Sequence, residues 1–281
     1  LREYARLIEH TAAGMPALIE QALPEIIEGK APNTGKLYTL AARRLQEVLA
    51  EFSPEQVTPK VVAQMRRGLV ATPVMANKCL LVLKMVFQWA LENGLADSNP
   101  VTGVRKYTEH KRTRRVTLDE FHRIRTEAPP RLRVVMDLCY LTGQRIGDVL
   151  KIERSHLLDA GVYVRQQKTK VELVVAWTPE LRAAVDEAKA QHGKVARMRL
   201  VQWKYRTIHE DWTNAVLAAG VEHCTLHDLR AMSATETDRQ GGDAKGLLGH
   251  TDARMTRRYL RDTEAPVVSG PSIGRVQSGG G

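Results

Sequence analysis

The chain has too few cysteines for a disulfide scaffold. Only three occur in 281 residues, Cys79, Cys139 and Cys224, odd in number, far apart and set in apolar stretches. They read as reduced core residues, which argues against a secreted protein stapled by disulfides. A long hydrophobic run is also lacking: the most apolar stretch, residues 69–91, is interrupted by Lys78 and Lys84 and reads as too broken to span a bilayer. Arg2, Glu3, Arg6 and Glu9 interrupt the start, so no signal peptide is expected. These readings point to a soluble intracellular protein that does not span a membrane. The chain opens on Leu1 instead of Met, so a segment ahead of it is expected.

Several catalytic motifs are lacking too. Residues 29–36 resemble a phosphate loop, but five residues separate Gly29 from Gly35, and Leu37 stands where Ser or Thr is needed. His223, Cys224 and His227 have no fourth ligand at a finger-like spacing, and no CxxC pair occurs. There is no Gly-x-Ser-x-Gly elbow, no acidic set suited to two metals and no internal repeat. No metal and no cofactor are therefore expected.

What is present is ordinary globular chemistry, 43% apolar and 26% charged, with 42 basic residues against 32 acidic and a net charge of +10. That excess favours a polyanion, nucleic acid or an acidic membrane surface, without choosing between them. Its location is more informative. Residues 104–115 hold six basic residues and one acidic, whereas residues 1–103 hold 11 and ten. The twelve-residue segment lacks apolar periodicity and follows Asn99-Pro100 and Gly103, which suit an exposed linker at a domain boundary. It reads as a solvated tether or a strap along phosphates, with Arg105, Lys106, Lys111, Arg112, Arg114 and Arg115 as the contacts.

Residues 1–103 read as a bundle of about four helices. Leu7, Ile8, Ile19 and Ala22 recur at helical spacing, and Pro24 is expected to break a run. Asn33-Thr34-Gly35 reads as a start before Leu37, Leu40, Ala41, Leu45 and Val48. A third helix is suggested over 59–69, and the fourth, from Pro73 to Asn93-Gly94, puts Cys79, Leu83, Val86, Phe87 and Ala90 on one face. Lys36, Arg43, Arg44, Asn77, Lys78 and Lys84 are left outside as candidate DNA contacts. Beyond residue 116, two short strands over 161–166 and 171–177 flank Gln167-Lys168-Thr169-Lys170. Helices are expected over 179–192, 208–219, 225–240, 244–248 and 252–260. The fold class is mainly α with a small antiparallel sheet, followed by a flexible Gly/Ser-rich tail over 266–281.

One constellation stands out. Thr225 suits an N-cap with Asp228 in the capping-box place, which puts His227 and Arg230 on one face of the first turns. Gly249-His250 follows twenty residues on, then Tyr259 within Arg257-Arg258-Tyr259-Leu260-Arg261. Upstream, Thr142-Gly143-Gln144-Arg145-Ile146-Gly147-Asp148 sets an arginine in an apolar stretch, where a charge needs an anionic partner. Taken singly, Tyr259 could simply pack, Arg145 could pair with Asp148, and His250 could cap a helix.

Taken together, in the order Arg, Lys, His-x-x-Arg, Gly-His, Tyr, the set resembles a tyrosine recombinase of the phage-integrase type over nearly the whole chain. The resemblance implies a helical core-type DNA-binding domain over 1–103, a linker over 104–115 and a catalytic domain over 116–265. It makes Arg145 and Arg230 phosphate clamps, Tyr259 the nucleophile, and His227 and His250 the two active-site histidines. Lys168 becomes the general acid, and Asp148 a supporting residue without a chemical role. The family's hairpin often reads Lys-Thr-Gly, so Lys170 is a rival to Lys168, and the stretch from Arg230 to His250 is a few residues short.

The residue types suit metal-free attack on a phosphodiester. A free tyrosine hydroxyl titrates near pH ~10 and needs a proton acceptor. Guanidinium forks meet the charge that builds on the non-bridging oxygens, a lysine can protonate the leaving 5′ oxygen, and the phosphotyrosine stores the bond energy without ATP. The implied partners are double-stranded DNA, a homotetramer on two DNA sites passing through a Holliday junction, and DNA-bending and directionality factors, with no membrane partner. The implied location is on DNA in a bacterial or phage-infected cytoplasm. The resemblance also implies a further arm-binding domain in many members, not visible in this sequence. Its rivals are a type IB topoisomerase-like relaxing enzyme and a non-catalytic DNA-binding protein of the same fold.

Overall fold

The computed structural model describes residues 14–109, 114–191, 198–256 and 259–260. Two compact units divide between Lys111 and Arg112. The first contains α1 (Met15–Ile27), α2 (Pro32–Val48), α3 (Pro59–Gly68) and α4 (Pro73–Glu92). Each helix carries a proline in its first turn, where a missing N–H breaks no intrahelical bond. Although α4 is long and apolar enough to cross a membrane, nine of its side chains are buried. The eight apolar ones join Met15, Leu18, Leu45 and Val62 in the core of this unit.

Three local expectations need correction, and Leu7 and Ile8 lie outside the described residues. Pro24 does not break α1, which runs through it to Ile27. Pro24 sits one turn from the end, the carbonyl it cannot serve belongs to exposed Glu20, and burial of Ile26 holds the last turn. Helix α2 starts at Pro32, ahead of Asn33. Its buried face is Ala41, Ala42 and Leu45, while Leu37, Leu40 and Val48 are exposed, so its apolar stripe is wider than the face its neighbours cover.

The second unit begins with α5 (Leu118–Glu127), α6 (Pro130–Thr142) and α7 (Ile146–Val149). A three-stranded antiparallel sheet follows, β1 (Leu157–Leu158), β2 (Gly161–Arg165) and β3 (Glu172–Ala176), in the order β1-β2-β3. Its hairpin register pairs Gly161 with Ala176 and Arg165 with Glu172. The chain continues through α8 (Pro179–Ala190), α9 (Tyr205–Ala218), α10 (Leu226–Arg239), α11 (Ala244–Leu248) and α12 (Ala253–Thr256). Sequence periodicity finds β2 and β3 but not the two-residue β1, too short to show a period. Leu132, Leu138, Val162, Val164, Leu181, Ile208, Trp212 and Leu229 form the core, and the indole N–H of Trp212 donates to the carbonyl of Cys224 at 2.9 Å. The fold is mainly helical with one small antiparallel sheet.

Candidate active site

Four chain segments of the second unit converge. Helix α6 ends at Gly143, whose φ of +64° reverses the chain toward Gln144 and Arg145. A Cβ at residue 143 would meet Leu247 Cγ at 3.0 Å and Ser233 Oγ at 3.1 Å, so glycine suits both the backbone and the space. The Arg145 guanidinium donates through Nη1 to Gln166 Oε1 at 3.1 Å and lies 3.8 Å from Asp148 Oδ2. Asp148 Oδ1 in turn accepts the backbone N–H of Gln167 at 2.9 Å, fixing the base of the β2–β3 turn.

Helix α10 supplies the second arginine. Asp228 Oδ2 accepts the N–H of Thr225 at 2.8 Å, the capping arrangement expected from the sequence, which sets the register of His227 and Arg230. Arg230 is 1% exposed, donating through Nη1 to the Gly143 carbonyl at 2.6 Å and through Nη2 to the Leu248 carbonyl at 2.7 Å. Nε has no hydrogen-bond partner among the described residues. Of five guanidinium N–H groups, two are held by carbonyls and a third is directed at His250 Nε2, 3.4 Å away, which leaves the Nε N–H among those open to an anion. Burial, then the charge of Arg145, pulls the Arg230 pKa down to about 10, so it stays cationic at neutral pH.

His250 is also buried. Its Nε2 lies 3.4 Å from Arg230 Nη2 and its Nδ1 3.1 Å from Thr256 Oγ1. Arginine only donates, so Nε2 is the acceptor and Nδ1 carries the proton toward Thr256. Burial, reinforced by Arg230 and Arg145, lowers the His250 pKa to about 4 and keeps the ring neutral.

Tyr259 closes the site. It packs with Leu260 against Ala234, Ala244 and Leu248. Its hydroxyl lies 3.5 Å from His227 Nε2, its ring 5.2 Å from the ring of His250, and Arg230 Cζ 5.5 Å from its centroid. A contact of 3.5 Å is loose for a hydrogen bond, as catalytic pairs without substrate often are.

Arg145, His227, Arg230, His250 and Tyr259 are thus assembled around one site. Lys168 lies exposed in the turn with no described contact to the other five. Lys170, its rival, has a φ of +60°, a left-handed conformation in the place where glycine is common in the resembling family. Sequence reasoning missed Gln144, Gln166 and Thr256, whose neutral side chains carry no motif of their own.

The expected DNA contacts divide. Lys36, Arg43, Arg44, Lys84, Arg105 and Lys106 are exposed, and Lys78 is half-buried with Nζ 5.6 Å from the Tyr38 ring centroid. Asn77 is corrected: it is buried and engaged, donating to the Tyr107 carbonyl and Glu109 Oε1 and accepting the Tyr107 N–H, each at 2.8 Å. Arg114 and Arg115 are also not freely exposed, since Arg114 holds Glu120 at 2.7 Å and Arg115 holds Glu236 at 3.1 Å. Lys111 and Arg112 lie outside the described residues, as do residues 257–258 and the 266–281 tail.

Comparison with known proteins gives consistent matches. Residues 114–265 match the Phage integrase family. The integrase of Escherichia phage HK022 is 30% identical over 252 residues, covering 82% of this chain and 71% of that protein. The integrase of Enterobacteria phage 434 is 29% identical, covering 80% and 69%. A lambda integrase dimer bound to a COC′ core site superposes with a TM-score of 0.84 at 24% identity, covering 96% of this chain and 84% of that one. A lambda integrase tetramer bound to a Holliday junction gives 0.83 at 23% identity, covering 92% and 80%.

Proposed function

The chain belongs to the phage integrase family, the tyrosine recombinases, and is a site-specific DNA integrase that cleaves and rejoins DNA; from that premise we propose a role for each residue of its site. Tyr259 is the nucleophile. Its hydroxyl oxygen attacks the scissile phosphorus while His227 takes the proton, forming a 3′-phosphotyrosine bond as the P–O5′ bond breaks. Lys168 gives the 5′ oxygen its proton. In the second step a 5′ hydroxyl attacks the phosphotyrosine, and tyrosine leaves with its proton restored.

Arg145 and Arg230 hold the non-bridging oxygens as negative charge grows on them. Fixed donors of this kind typically contribute about 3–4 kcal/mol each to lowering such a barrier. Neutral His250 orients Arg230 by accepting from it. The observation that carries this reading is the Tyr259 hydroxyl 3.5 Å from His227 Nε2, on a ring flanked by Arg230 and His250.

Residues 1–103 act as a core-type DNA-binding domain, 104–115 as the linker, 116–265 as the catalytic domain and 266–281 as the tail. Lambda integrase has been crystallised as a dimer bound to a COC′ core site and as a tetramer bound to a Holliday junction; the proposal extends both assemblies to this chain, acting on DNA inside the cell with DNA-bending and directionality factors.

The test is covalent trapping on a nicked DNA substrate. Tyr259→Phe is expected to give no protein–DNA adduct while retaining DNA binding, and an adduct of normal yield overturns the assignment. For the acid, DNA with a 5′-bridging sulfur should restore cleavage to Lys168→Ala, since sulfur leaves without a proton. Rescue of Lys170→Ala instead moves the role to Lys170.

A further inference from the structure

We propose that Gln166 is a positioning residue that holds the lysine-bearing β2–β3 turn in register with the arginine clamp. The inference rests on the reading of Lys168 as the acid. Gln166 is the residue after β2, fully buried, and its amide uses all four hydrogen-bonding positions. Oε1 accepts from Arg145 Nη1 at 3.1 Å and from Thr169 Oγ1 at 2.6 Å. Nε2 donates to Gln144 Oε1 at 2.8 Å and to the Leu248 carbonyl at 2.9 Å.

Those four bonds reach every part of the site that has to move together. Thr169 adjoins Lys168 in the turn. Arg145 is one clamp, and the Leu248 carbonyl also receives Arg230 Nη2, so the second clamp shares an acceptor with Gln166. Gln144 extends the network by donating to the carbonyls of Thr142 and Leu247, at 2.9 and 2.7 Å. Lys168 itself is exposed, with no described bond to fix it. The turn can therefore be located relative to the phosphate only through its base, and the Thr169–Gln166 bond ties that base to the residue that contacts Arg145.

An amide suits this place better than a charged group. A glutamate would keep both acceptors but lose both donors and neutralise Arg145 at close range, and a lysine would add a third cation beside two arginines. Only a side chain with both a donor and an acceptor end can serve Arg145 and the Leu248 carbonyl at once.

The test compares Gln166→Met and Thr169→Val with the parent chain in single-turnover cleavage of two DNA substrates, one with the natural 5′ oxygen and one with 5′-bridging sulfur. Thr169→Val leaves the buried amide in place and removes only the turn's bond, so it reports even if Gln166→Met fails to fold. On the oxygen substrate both variants are expected to cleave 10- to 100-fold more slowly at unchanged DNA affinity. On the sulfur substrate the loss of Thr169→Val should shrink to within about threefold, while Gln166→Met, which also takes a partner from Arg145, should recover only in part. Equal losses on both substrates, or no loss on the oxygen substrate, overturn the proposal. Lys168→Ala runs alongside: if sulfur fails to rescue it, the acid assignment falls, whereas rescue of Lys168→Ala without rescue of Thr169→Val sinks only the positioning role.

Discussion

Gly249→Ala should damage the site from behind, without touching any group that meets DNA. Gly249 has a φ of +60°, and a Cβ there would lie 2.8 Å from Gln166 Nε2 and 3.1 Å from both Leu173 Cδ2 and Val171 Cγ1. Left-handed backbone costs an alanine about 1–2 kcal/mol, and the stiffer unfolded chain returns about 0.4–1 kcal/mol of that. The displaced amide also loses its seat against Gln144 Oε1 and the Leu248 carbonyl, at about 1 kcal/mol for each bond. The net loss is about 2–3 kcal/mol, which for a chain of this size lowers the melting temperature by roughly 5–10 °C. Thermal unfolding followed by circular dichroism reads this directly. Gly147→Ala is the internal control, since Gly147 has no left-handed φ and nothing within 4 Å of the added Cβ. A Gly249→Ala chain melting within 1 °C of the parent would refute the steric argument.

Three other perturbations give outcomes of different sign. Lys170→Gly removes a side chain from left-handed backbone and should stabilise the protein by about 0.5–1 kcal/mol, seen as a rise in melting temperature, with cleavage rate preserved if Lys168 is the acid. His250 has its folded-state pKa lowered from 6.5 to about 4, so the unfolded chain binds the extra proton between those values, and stability falls as pH drops through that window and is fully recovered above about 6.5. The loss approaches about 3 kcal/mol, and His250→Gln should flatten that part of a plot of unfolding free energy against pH. Asn77→Ala removes two bonds to the Tyr107 backbone and should speed tryptic cleavage after exposed Arg105 and Lys106 about tenfold or more, measured by timed digestion.

The sequence made legible what local chemistry controls. Pro59 and Pro73 at helix starts, the Thr225–Asp228 cap and the alternation of β2 and β3 all act within a few residues, and the structure has each of them. Where packing decides, the local signal failed. Leu37 and Leu40 look like core on a helical wheel, yet Ala41 and Leu45 are the face that neighbouring helices cover. Asn77 looks like a polar surface residue, but its partners stand 30 and 32 positions away in the linker. The same limit applies in the site. Arg145, Arg230, His227, His250 and Tyr259 were visible because their order and spacing together match a known family's motif set, although each alone has an ordinary structural reading. Gln144 and Gln166 were not, because their partners are the carbonyls of Leu247 and Leu248, 103 and 82 positions away, which no side-chain pattern marks.

On the proposed roles, Arg230 prepares the site for an anion at the expense of the protein alone. It is buried, and no carboxylate among the described residues hydrogen-bonds it; its two short bonds go to the neutral carbonyls of Gly143 and Leu248. A carboxylate partner would have stabilised the empty site and would then have competed with the scissile phosphate for the same N–H groups. Carbonyls fix the guanidinium without neutralising it, and its pKa is depressed first by burial and then by the charge of Arg145. Neutral His250 fits the same logic, since an imidazolium there would add a third cation. A phosphate entering the site relieves this repulsion, so DNA should stabilise the second unit beyond what its exposed surface charges supply. On the proposed roles, the buried, unneutralised arginine is a cost in folding that is recovered when DNA binds, and it leaves the proposed clamp little reorganisation to perform when charge develops on the phosphorus.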